Sequence, residues 1–313
     1  MLRVRLYFVA IVLCFSALPA NTQTRDAELQ RAVVQAMAGQ RGSAVVLDVQ
    51  SAGVLAEYHI DVAARRVVHP GSSIKPFTLL ALLEAGKVDA QTALVCKRPL
   101  TIAGRRLDCS HPDTKEPLGP SAAIAYSCNS YFTSLATRLT PAELRASFMR
   151  AGFTSATELA PHEVTGEVAL AQSLEQLQLQ AIGEWGMRVT PLELLRAYRQ
   201  LALLSRKDSN AQIPALLAEA LQASVSYGMA RTAQPATPMK VAGKTGTALS
   251  DEGPWQHGWF AGYAPADNPR IALVVFLENG HGSDAAALAR RIFAAFANQP
   301  DNQSAKVNAG PQR

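Results

Sequence analysis

The sequence predicts a mixed α/β (α+β) fold, in which one antiparallel sheet is built from both ends of the chain. Strand-like segments occupy residues 42–49 and 54–60 near the N-terminus, and residues 239–247, 255–264 and 270–277 near the C-terminus. Between them, residues 120–204 carry apolar side chains at three- and four-residue spacing, which is typical of helices. We therefore expect a sheet of about five strands, flanked by helices, with an all-helical subdomain inserted in the middle.

Each predicted helix combines apolar spacing with a start or stop signal. Segment 26–39 is amphipathic and ends at a glycine, which readily adopts the positive φ of a helix C-cap. Segment 77–85 is rich in leucine and is also followed by a glycine. Segments 141–151 and 191–204 each begin with proline, which suits the first turn of a helix. The Ala-rich segment 283–297 is the terminal helix.

Residues 1–20 have the pattern of a secretory signal peptide. Arg3 and Arg5 precede a thirteen-residue apolar stretch, 6–18, and small residues follow it. Such a stretch is short for a bilayer core of about 30 Å, so a cleaved signal is expected, with an uncleaved membrane anchor as the alternative. The protein is thus predicted to be exported, to the periplasm or the outer face of the cell envelope. Residues 25–298 would form the domain, and the polar tail 299–313 is expected to be disordered.

The composition is that of an ordinary globular protein, with 48% apolar and 18% charged residues. The net charge of +5 and the pI near 9.1 are mild. The chain has no run of Lys or Arg and no stripe of basic and aromatic residues, which argues against nucleic-acid binding.

Three short motifs, 55 and then 117 residues apart, carry the chemistry of the chain. They are Ser72-Ser73-Ile74-Lys75, Ser127-Cys128-Asn129 and Lys244-Thr245-Gly246-Thr247. Each alone is common at a helix start, a turn or a strand end. Here they fall at a helix start, in the helical block and on a strand, so the predicted fold gathers them in one cleft. Their order and spacing indicate an enzyme that transfers acyl groups through a serine.

In that chemistry Ser72 is the nucleophile and Lys75 is its base. Lys75 follows three residues later, so it lies on the same helix face as Ser72. A free lysine has a pKa of about 10.4 and can accept a proton only if that value is lowered. Burial, or a second cation such as Lys244, would lower the pKa of Lys75.

The same cleft is expected to provide an oxyanion hole. At a helix start the backbone N–H of Ser72 is a free donor, and the N–H of Thr247 on a strand edge could be the second. Gly246 lacks a side chain, which would let a substrate approach this strand closely.

The remaining motif residues are expected to contact the substrate. The hydroxyls of Thr245 and Thr247, with the charge of Lys244, would hold a carboxylate. Ser127 would relay a proton to the leaving amine, and Asn129 would form a hydrogen bond with an amide of the substrate backbone.

Export makes a disulfide bond possible for the cysteines of the domain. Cys96 and Cys109 bracket a short basic loop and are predicted to form a bridge, which leaves Cys128 as a free thiol. A zinc site formed by Cys96, Cys109 and His111 is the alternative. It has only three ligands and lacks the usual C-x-x-C pairing, so no metal is expected.

These segments resemble the transpeptidase domain of penicillin-binding proteins, particularly of class B. The resemblance spans about residues 27–298 and rests on segments 70–77, 127–132, 181–183, 189–192, 243–248 and 257–265. It implies a β-lactamase/transpeptidase-like fold and the site roles given above. It also implies a donor substrate that is a peptidoglycan stem peptide ending in D-Ala-D-Ala, with β-lactam antibiotics as covalent inhibitors and no organic cofactor.

The chain also departs from these relatives. About fifty residues of the mature chain precede Ser72, where class B members carry a large pedestal module, so a stand-alone catalytic domain is expected. Glu184 stands where many relatives have glutamine. The sequence favours neither a transpeptidase, in which an amine accepts the acyl group, nor a carboxypeptidase, in which water does.

A serine β-lactamase is the main alternative function. Class A enzymes use a glutamate between the second and third motifs, and Glu158 and Glu163 lie there without the Glu-x-x-Leu-Asn context. Class D enzymes have an apolar residue where this chain has Asn129. A non-catalytic receptor that binds β-lactams or peptidoglycan is a further alternative, against which the intact motif set argues.

Overall fold

The computed structural model describes residues 20–207 and 211–299. Residues 1–19 of the predicted signal segment (1–20) and residues 300–313 of the predicted tail (299–313) lie outside the described residues. The helices are α1 (Ala20–Met37), α2 (Ile60–Arg65), α3 (Lys75–Glu84), α4 (Pro120–Ala125), α5 (Asn129–Ala136), α6 (Pro141–Arg150), α7 (Leu174–Gln180), α8 (Pro191–Lys207), α9 (Gln212–Ser226) and α10 (Gly282–Ala297). The strands are β1 (Gly42–Asp48), β2 (Val54–Tyr58), β3 (Thr101–Ile102), β4 (Arg105–Arg106), β5 (Glu167–Val168), β6 (Met187–Arg188), β7 (Ala242–Leu249), β8 (Gln256–Ala264) and β9 (Ile271–Leu277).

The main sheet has five antiparallel strands in the order β2-β1-β9-β8-β7, which confirms the predicted sheet. Val274 of β9 pairs with Val45 of β1 on one side and with Ala261 of β8 on the other. The pairing of β1 with β9 thus joins the N-terminal and C-terminal parts of the chain within one sheet. Because β9 is the central strand, all seven of its residues are buried, and its sequence is a continuous apolar run.

Both faces of the sheet are covered by helices. On one face Val46, Phe260 and Val275 pack in a core with residues of α1 and α10. On the other face Val45, Trp259 and Val274 belong to the larger core shared with the inserted helices. The alternation of neighbouring residues between the two cores follows from the two-residue period of a strand.

The inserted block between β2 and β7 is mainly helical, as predicted, but it is not wholly so. Two short antiparallel ladders, β3–β4 and β5–β6, lie within it. The β3–β4 turn consists of Ala103 and Gly104, both with positive φ (49° and 73°). Two such residues make the tight turn that suits the twist of a hairpin, and a search for helical spacing does not detect it.

Within residues 20–207 and 211–299, no helix is both long enough and apolar enough to cross a membrane.

Candidate active site

Ser72 lies on a short 3-10 turn, Gly71–Ile74, that leads directly into α3. We call Gly71–Ile74 the nucleophile turn. Its neighbour Ser73 is held from both sides, because its hydroxyl donates to the Pro70 carbonyl at 2.8 Å and its carbonyl accepts from the Tyr198 hydroxyl at 2.7 Å. Ser72 itself is half-buried. The turn is therefore fixed by buried hydrogen bonds while the nucleophile stays accessible.

The nucleophile turn packs against the edge strand β7 so closely that two glycines are required. Gly71 has a φ of +52°, and a Cβ atom there would lie 2.4 Å from the Thr247 carbonyl oxygen. A Cβ atom on Gly246 would lie 2.5 Å from the Pro70 carbonyl oxygen. The close neighbour of Gly246 in the structure is thus the nucleophile turn itself, whereas the sequence suggested a role in admitting substrate.

The second motif begins at the end of α4, where Ser127 has a φ of +55°. The N–H groups of Ser127 and Cys128 donate to the carbonyls of Ile124 (3.1 Å) and Ala123 (2.9 Å), which closes the helix. Positive φ is uncommon for a serine and costs on the order of 1 kcal/mol. The conformation turns the hydroxyl and the carbonyl of Ser127 towards Lys75.

Lys75 joins the first motif to the second. Its Nζ atom donates to Ser127 O at 2.7 Å, Ser127 Oγ at 3.1 Å and Asn129 Oδ1 at 2.5 Å. These three acceptors match the three donors of an ammonium group. The side chain is fully buried, and burial lowers the pKa of Lys75 to about 8, against the opposing charges of Cys109, Cys128 and Glu184.

Lys244 brings the third motif to the same cleft. Its side chain is fully buried on β7, and its Nζ donates to the Thr245 carbonyl at 3.0 Å. Burial lowers the pKa of Lys244 well below its usual value, and the charge of Lys75 lowers it further. The two lysines are therefore close enough for the charge of Lys75 to act on Lys244, whereas the sequence suggested that Lys244 would act on Lys75.

Asn129 is held entirely by protein groups. While its Oδ1 accepts from Lys75, its Nδ2 donates to the Leu107 carbonyl at 2.9 Å, and its backbone N–H donates to Cys109 Sγ at 3.1 Å. In this structure Asn129 positions Lys75, and its contact with a substrate amide stays a prediction.

Thr245 and Thr247 point to the side of β7 opposite Gly246. A Cβ atom on Gly282, at the start of α10, would lie 2.9 Å from Thr245 Cβ, and the Gly282 N–H donates to Thr247 Oγ1 at 3.0 Å. Since Thr247 Oγ1 accepts that bond, its own hydroxyl proton remains available to donate to a ligand.

The three cysteines of the described chain are buried together as free thiols. Cys109 Sγ lies 3.6 Å from Cys96 Sγ and 3.7 Å from Cys128 Sγ. The predicted Cys96–Cys109 bridge is therefore not formed in this structure, since a disulfide bond requires about 2.05 Å. Cys128 is predicted from the sequence to stand apart as a free thiol, whereas its Sγ lies 3.7 Å from Cys109 Sγ, nearly as close as the Sγ of Cys96.

Two groups beside the site have contacts that the sequence does not reveal, although Glu184 was already noted for its departure from glutamine. Tyr198, on α8, supports the nucleophile turn from 125 residues away along the chain. Glu184 forms an ion pair with Arg105 of the β3–β4 hairpin, with an N–O distance of 2.7 Å, and its charge raises the pKa of Lys75. Both contacts depend on the tertiary fold, so local patterns could not have identified them.

Comparison with known proteins agrees with this arrangement. The sequence model of the family described as "Penicillin binding protein transpeptidase domain" matches residues 42–297. The peptidoglycan D,D-transpeptidase MrdA of Acinetobacter baumannii is 27% identical over 86% of this chain and 52% of its own length. The peptidoglycan D,D-transpeptidase PbpA of Mycobacterium tuberculosis H37Rv is 26% identical over 67% of this chain and 50% of its own length. The chain thus spans about half the length of these curated relatives.

Solved structures share the fold. Pseudomonas aeruginosa PBP2 superposes with a TM-score of 0.77 and 23% identity, covering 88% of this chain and 78% of that one. The transpeptidase domain of Burkholderia pseudomallei penicillin-binding protein 3 gives a TM-score of 0.75 and 22% identity, covering 94% of this chain and 97% of that one. With the family match over most of its length, this chain belongs to the penicillin-binding protein transpeptidase domain family.

Proposed function

We propose that this protein is a serine D,D-acyltransferase that acts on peptidoglycan stem peptides ending in D-Ala-D-Ala. The predicted signal segment would export the protein from the cytoplasm, and the protein would act outside. β-Lactam antibiotics would inhibit it covalently. The D-Ala-D-Ala amide is the donor, and either an amine (transpeptidation) or water (carboxypeptidation) accepts the acyl group. The chemistry uses side chains and backbone N–H groups of the chain.

The observation that carries the proposal is the environment of Lys75. The second motif, more than fifty residues away along the chain, supplies three hydrogen-bond acceptors to this buried amine, whose pKa is lowered to about 8 by burial. A lysine with such a pKa is partly neutral at physiological pH, which a general base requires. A lysine with only a structural role is usually exposed to solvent or paired with a carboxylate.

In the acylation step, neutral Lys75 takes the proton of the Ser72 hydroxyl while Ser72 Oγ attacks the carbonyl carbon of the D-Ala-D-Ala amide. Ser127 Oγ, 3.1 Å from Lys75 Nζ, then passes its own proton to the amine of the leaving D-Ala and takes the extra proton from Lys75 in its place. The products are an ester on Ser72 and free D-alanine, and Lys75 ends as it began. Asn129 keeps Lys75 in place throughout.

The developing oxyanion would be held by the N–H groups of Ser72 and Thr247. Their proximity is supported by the packing of β7 on the nucleophile turn, where a Cβ on Gly71 would lie 3.2 Å from Thr247 N. Each such donor is worth on the order of 100-fold or more in rate. Lys244, Thr245 and Thr247 are assigned to the terminal carboxylate of the donor peptide.

The β-lactamase alternative gains no support from the two candidate glutamates. The carboxylate of Glu163 accepts hydrogen bonds from the backbone N–H groups of Leu159 (2.7 Å) and Ala160 (2.9 Å) and from the Thr157 hydroxyl (2.8 Å). It therefore stabilises its own loop. Glu158 is exposed. Neither residue is arranged to activate a water molecule for deacylation.

The direct test is release of D-alanine from a synthetic stem peptide ending in D-Ala-D-Ala, with and without an added D-amino acid as acceptor. The wild type should release D-alanine, the matched peptide ending in L-Ala-L-Ala should be inert, and Ser72→Ala should be inactive. An exchanged product would identify a transpeptidase, and hydrolysis alone a carboxypeptidase. Undiminished release by Ser72→Ala, or equal cleavage of the two peptides, would refute the proposal.

A further inference from the structure

A compact group of four buried side chains lies directly behind the catalytic cleft. It consists of Cys96, Cys109, His111 and Cys128, each of which offers one possible ligand atom, and these four atoms lie within 4.8 Å of one another. Their exposed fractions are 7%, 6%, 2% and 0%. The acyl-transfer chemistry uses none of them.

The sulfur geometry fits a metal centre better than a disulfide bond. Four ligands around zinc, with Zn–S distances of about 2.3 Å and tetrahedral angles, place neighbouring sulfur atoms about 3.8 Å apart. The Cys109–Cys96 and Cys109–Cys128 distances are 3.6 and 3.7 Å. A disulfide bond would join two of the three thiols and strand the third, whereas one metal ion engages all of them.

His111 supplies the second, independent observation. Its Nδ1 lies 2.7 Å from the Pro112 carbonyl oxygen, which can only accept a hydrogen bond, and 3.1 Å from Arg98 Nη2, which can only donate one. The contact with Pro112 is the shorter, and Arg98 Nη2 already has the His111 carbonyl as its acceptor, so we assign the proton to Nδ1. Arg98 reinforces this position by donating to the His111 carbonyl at 2.6 Å. The other nitrogen, Nε2, therefore presents a lone pair. It is buried and has no hydrogen-bond partner within the described chain. A metal-binding histidine is commonly oriented in this way, through a hydrogen bond from its second nitrogen to a carbonyl.

From these contacts we propose that Cys96, Cys109, Cys128 and His111 bind one zinc ion in a closed tetrahedral Cys3His site. Binding releases the three thiol protons to solvent, so the centre of one Zn²⁺, three thiolates and a neutral imidazole has a net charge of −1. The Arg98 guanidinium donates to the carbonyl of His111, and the Asn129 N–H already donates to Cys109 Sγ, so the surroundings compensate this charge. With four protein ligands the site is structural, because no position is left for a substrate.

The location of the site ties it to the second motif. Cys128 stands between Ser127 and Asn129, both of which contact Lys75 Nζ. Through Cys96 and Cys109 the ion would join this motif to the β3–β4 region, whose Leu107 carbonyl holds the Asn129 side chain. The zinc ion would thus fix the β3–β4 region to the segment that positions Lys75.

The test uses mature protein purified under reducing conditions without a chelator, with metal content measured by plasma mass spectrometry. The wild type should carry about one zinc per chain. Cys96→Ser and His111→Ala should each lose most of it, while the matched control His162→Asn, at an exposed histidine, should retain it. Wild-type protein that is free of metal and does not bind added Zn²⁺ would overturn the proposal. A Cys96–Cys109 linked peptide in most of a second sample, purified and digested without any reductant, would overturn it too.

A second measurement needs no variant, and so does not depend on whether the substituted chains fold. Replacing zinc with Co²⁺ in the wild type should give the visible spectrum of tetrahedral cobalt with a strong sulfur-to-cobalt charge-transfer band, and Zn²⁺ should abolish it. Chelation should lower the melting temperature by several degrees, because metal binding couples to folding. A cobalt spectrum of octahedral oxygen ligation, or an unchanged melting temperature after the zinc is removed, would contradict the site. These readouts are independent of any activity on peptides or penicillin.

Discussion

At the scale of single residues, the proposed acylation of Ser72 depends on Lys75. Its amine is buried, and its three hydrogen-bond acceptors come from the second motif. Moving a lysine pKa from about 10.4 to about 8 costs roughly 3 kcal/mol, at about 1.36 kcal/mol per unit. Burial provides this shift, and the fold must offset its cost elsewhere.

This environment predicts the pH dependence of acylation. Only the neutral amine can accept the Ser72 proton, so the rate of acylation by penicillin should rise with pH and level off above the Lys75 pKa of about 8. Well below that value, the rate should fall about tenfold for each pH unit. Stopped-flow or quenched-flow rates across this range would reveal the profile.

Substitution at the same position provides the control for that profile. Lys75→Arg should reduce acylation by several orders of magnitude, since a guanidinium group does not deprotonate. Lys87→Arg, at an exposed lysine, should leave the rate unchanged. A flat pH profile in the wild type, or near-normal acylation by Lys75→Arg, would transfer the role of base to another group.

At the scale of secondary-structure elements, the contact between β7 and the nucleophile turn matters most. The edge strand lies against Gly71–Ile74 with no room for a side chain at Gly246. The same contact brings Thr247 N next to the turn, as an oxyanion hole built from Ser72 and Thr247 requires. In the proposed reaction, the spacing of the two elements therefore sets the geometry of the oxyanion hole as well as the packing.

Gly246→Ala should disturb this contact. Its new Cβ would lie 2.5 Å from the Pro70 carbonyl and 2.9 Å from Ser73 N, so the turn must move. We expect acylation to slow at least tenfold and stability to fall by about 1–3 kcal/mol, as for other overpacked sites. Gly119→Ala is the matched control, because nothing lies within 4 Å of a Cβ there and its φ is −76°. Acylation rates and urea unfolding check both variants, and wild-type behaviour of Gly246→Ala would contradict the proposed packing.

The limits of sequence-based prediction are also visible at this scale. The strands of the main sheet were predicted to within a few residues, because buried strands read as apolar or alternating runs bounded by turns. The β3–β4 hairpin was missed, since each of its strands has two residues and its burial comes from neighbouring segments. The cysteine cluster was seen in part, because spacing linked Cys96 to Cys109, whereas only the fold brings Cys128 to them.

At the scale of the whole molecule, the sheet joins the two ends of the chain and the inserted block closes over one of its faces. Ser72 and Lys75 precede helices α4–α9 of the block, Ser127 and Asn129 lie among these helices, and Lys244 follows them on β7. The motifs are predictable from the sequence because their residue types and order are specific. Their mutual geometry is not, because it depends on contacts such as that between Tyr198 and Ser73, which are 125 residues apart.

The central claim is that Ser72 forms an acyl-enzyme, and intact-mass measurement during incubation with benzylpenicillin tests it most directly. The wild type and the matched serine control Ser134→Ala should gain the mass of one penicillin per chain, and the adduct should persist. Ser72→Ala should gain none. A persistent adduct on Ser72→Ala, or rapid hydrolysis of penicillin by the wild type without an accumulated adduct, would contradict the account.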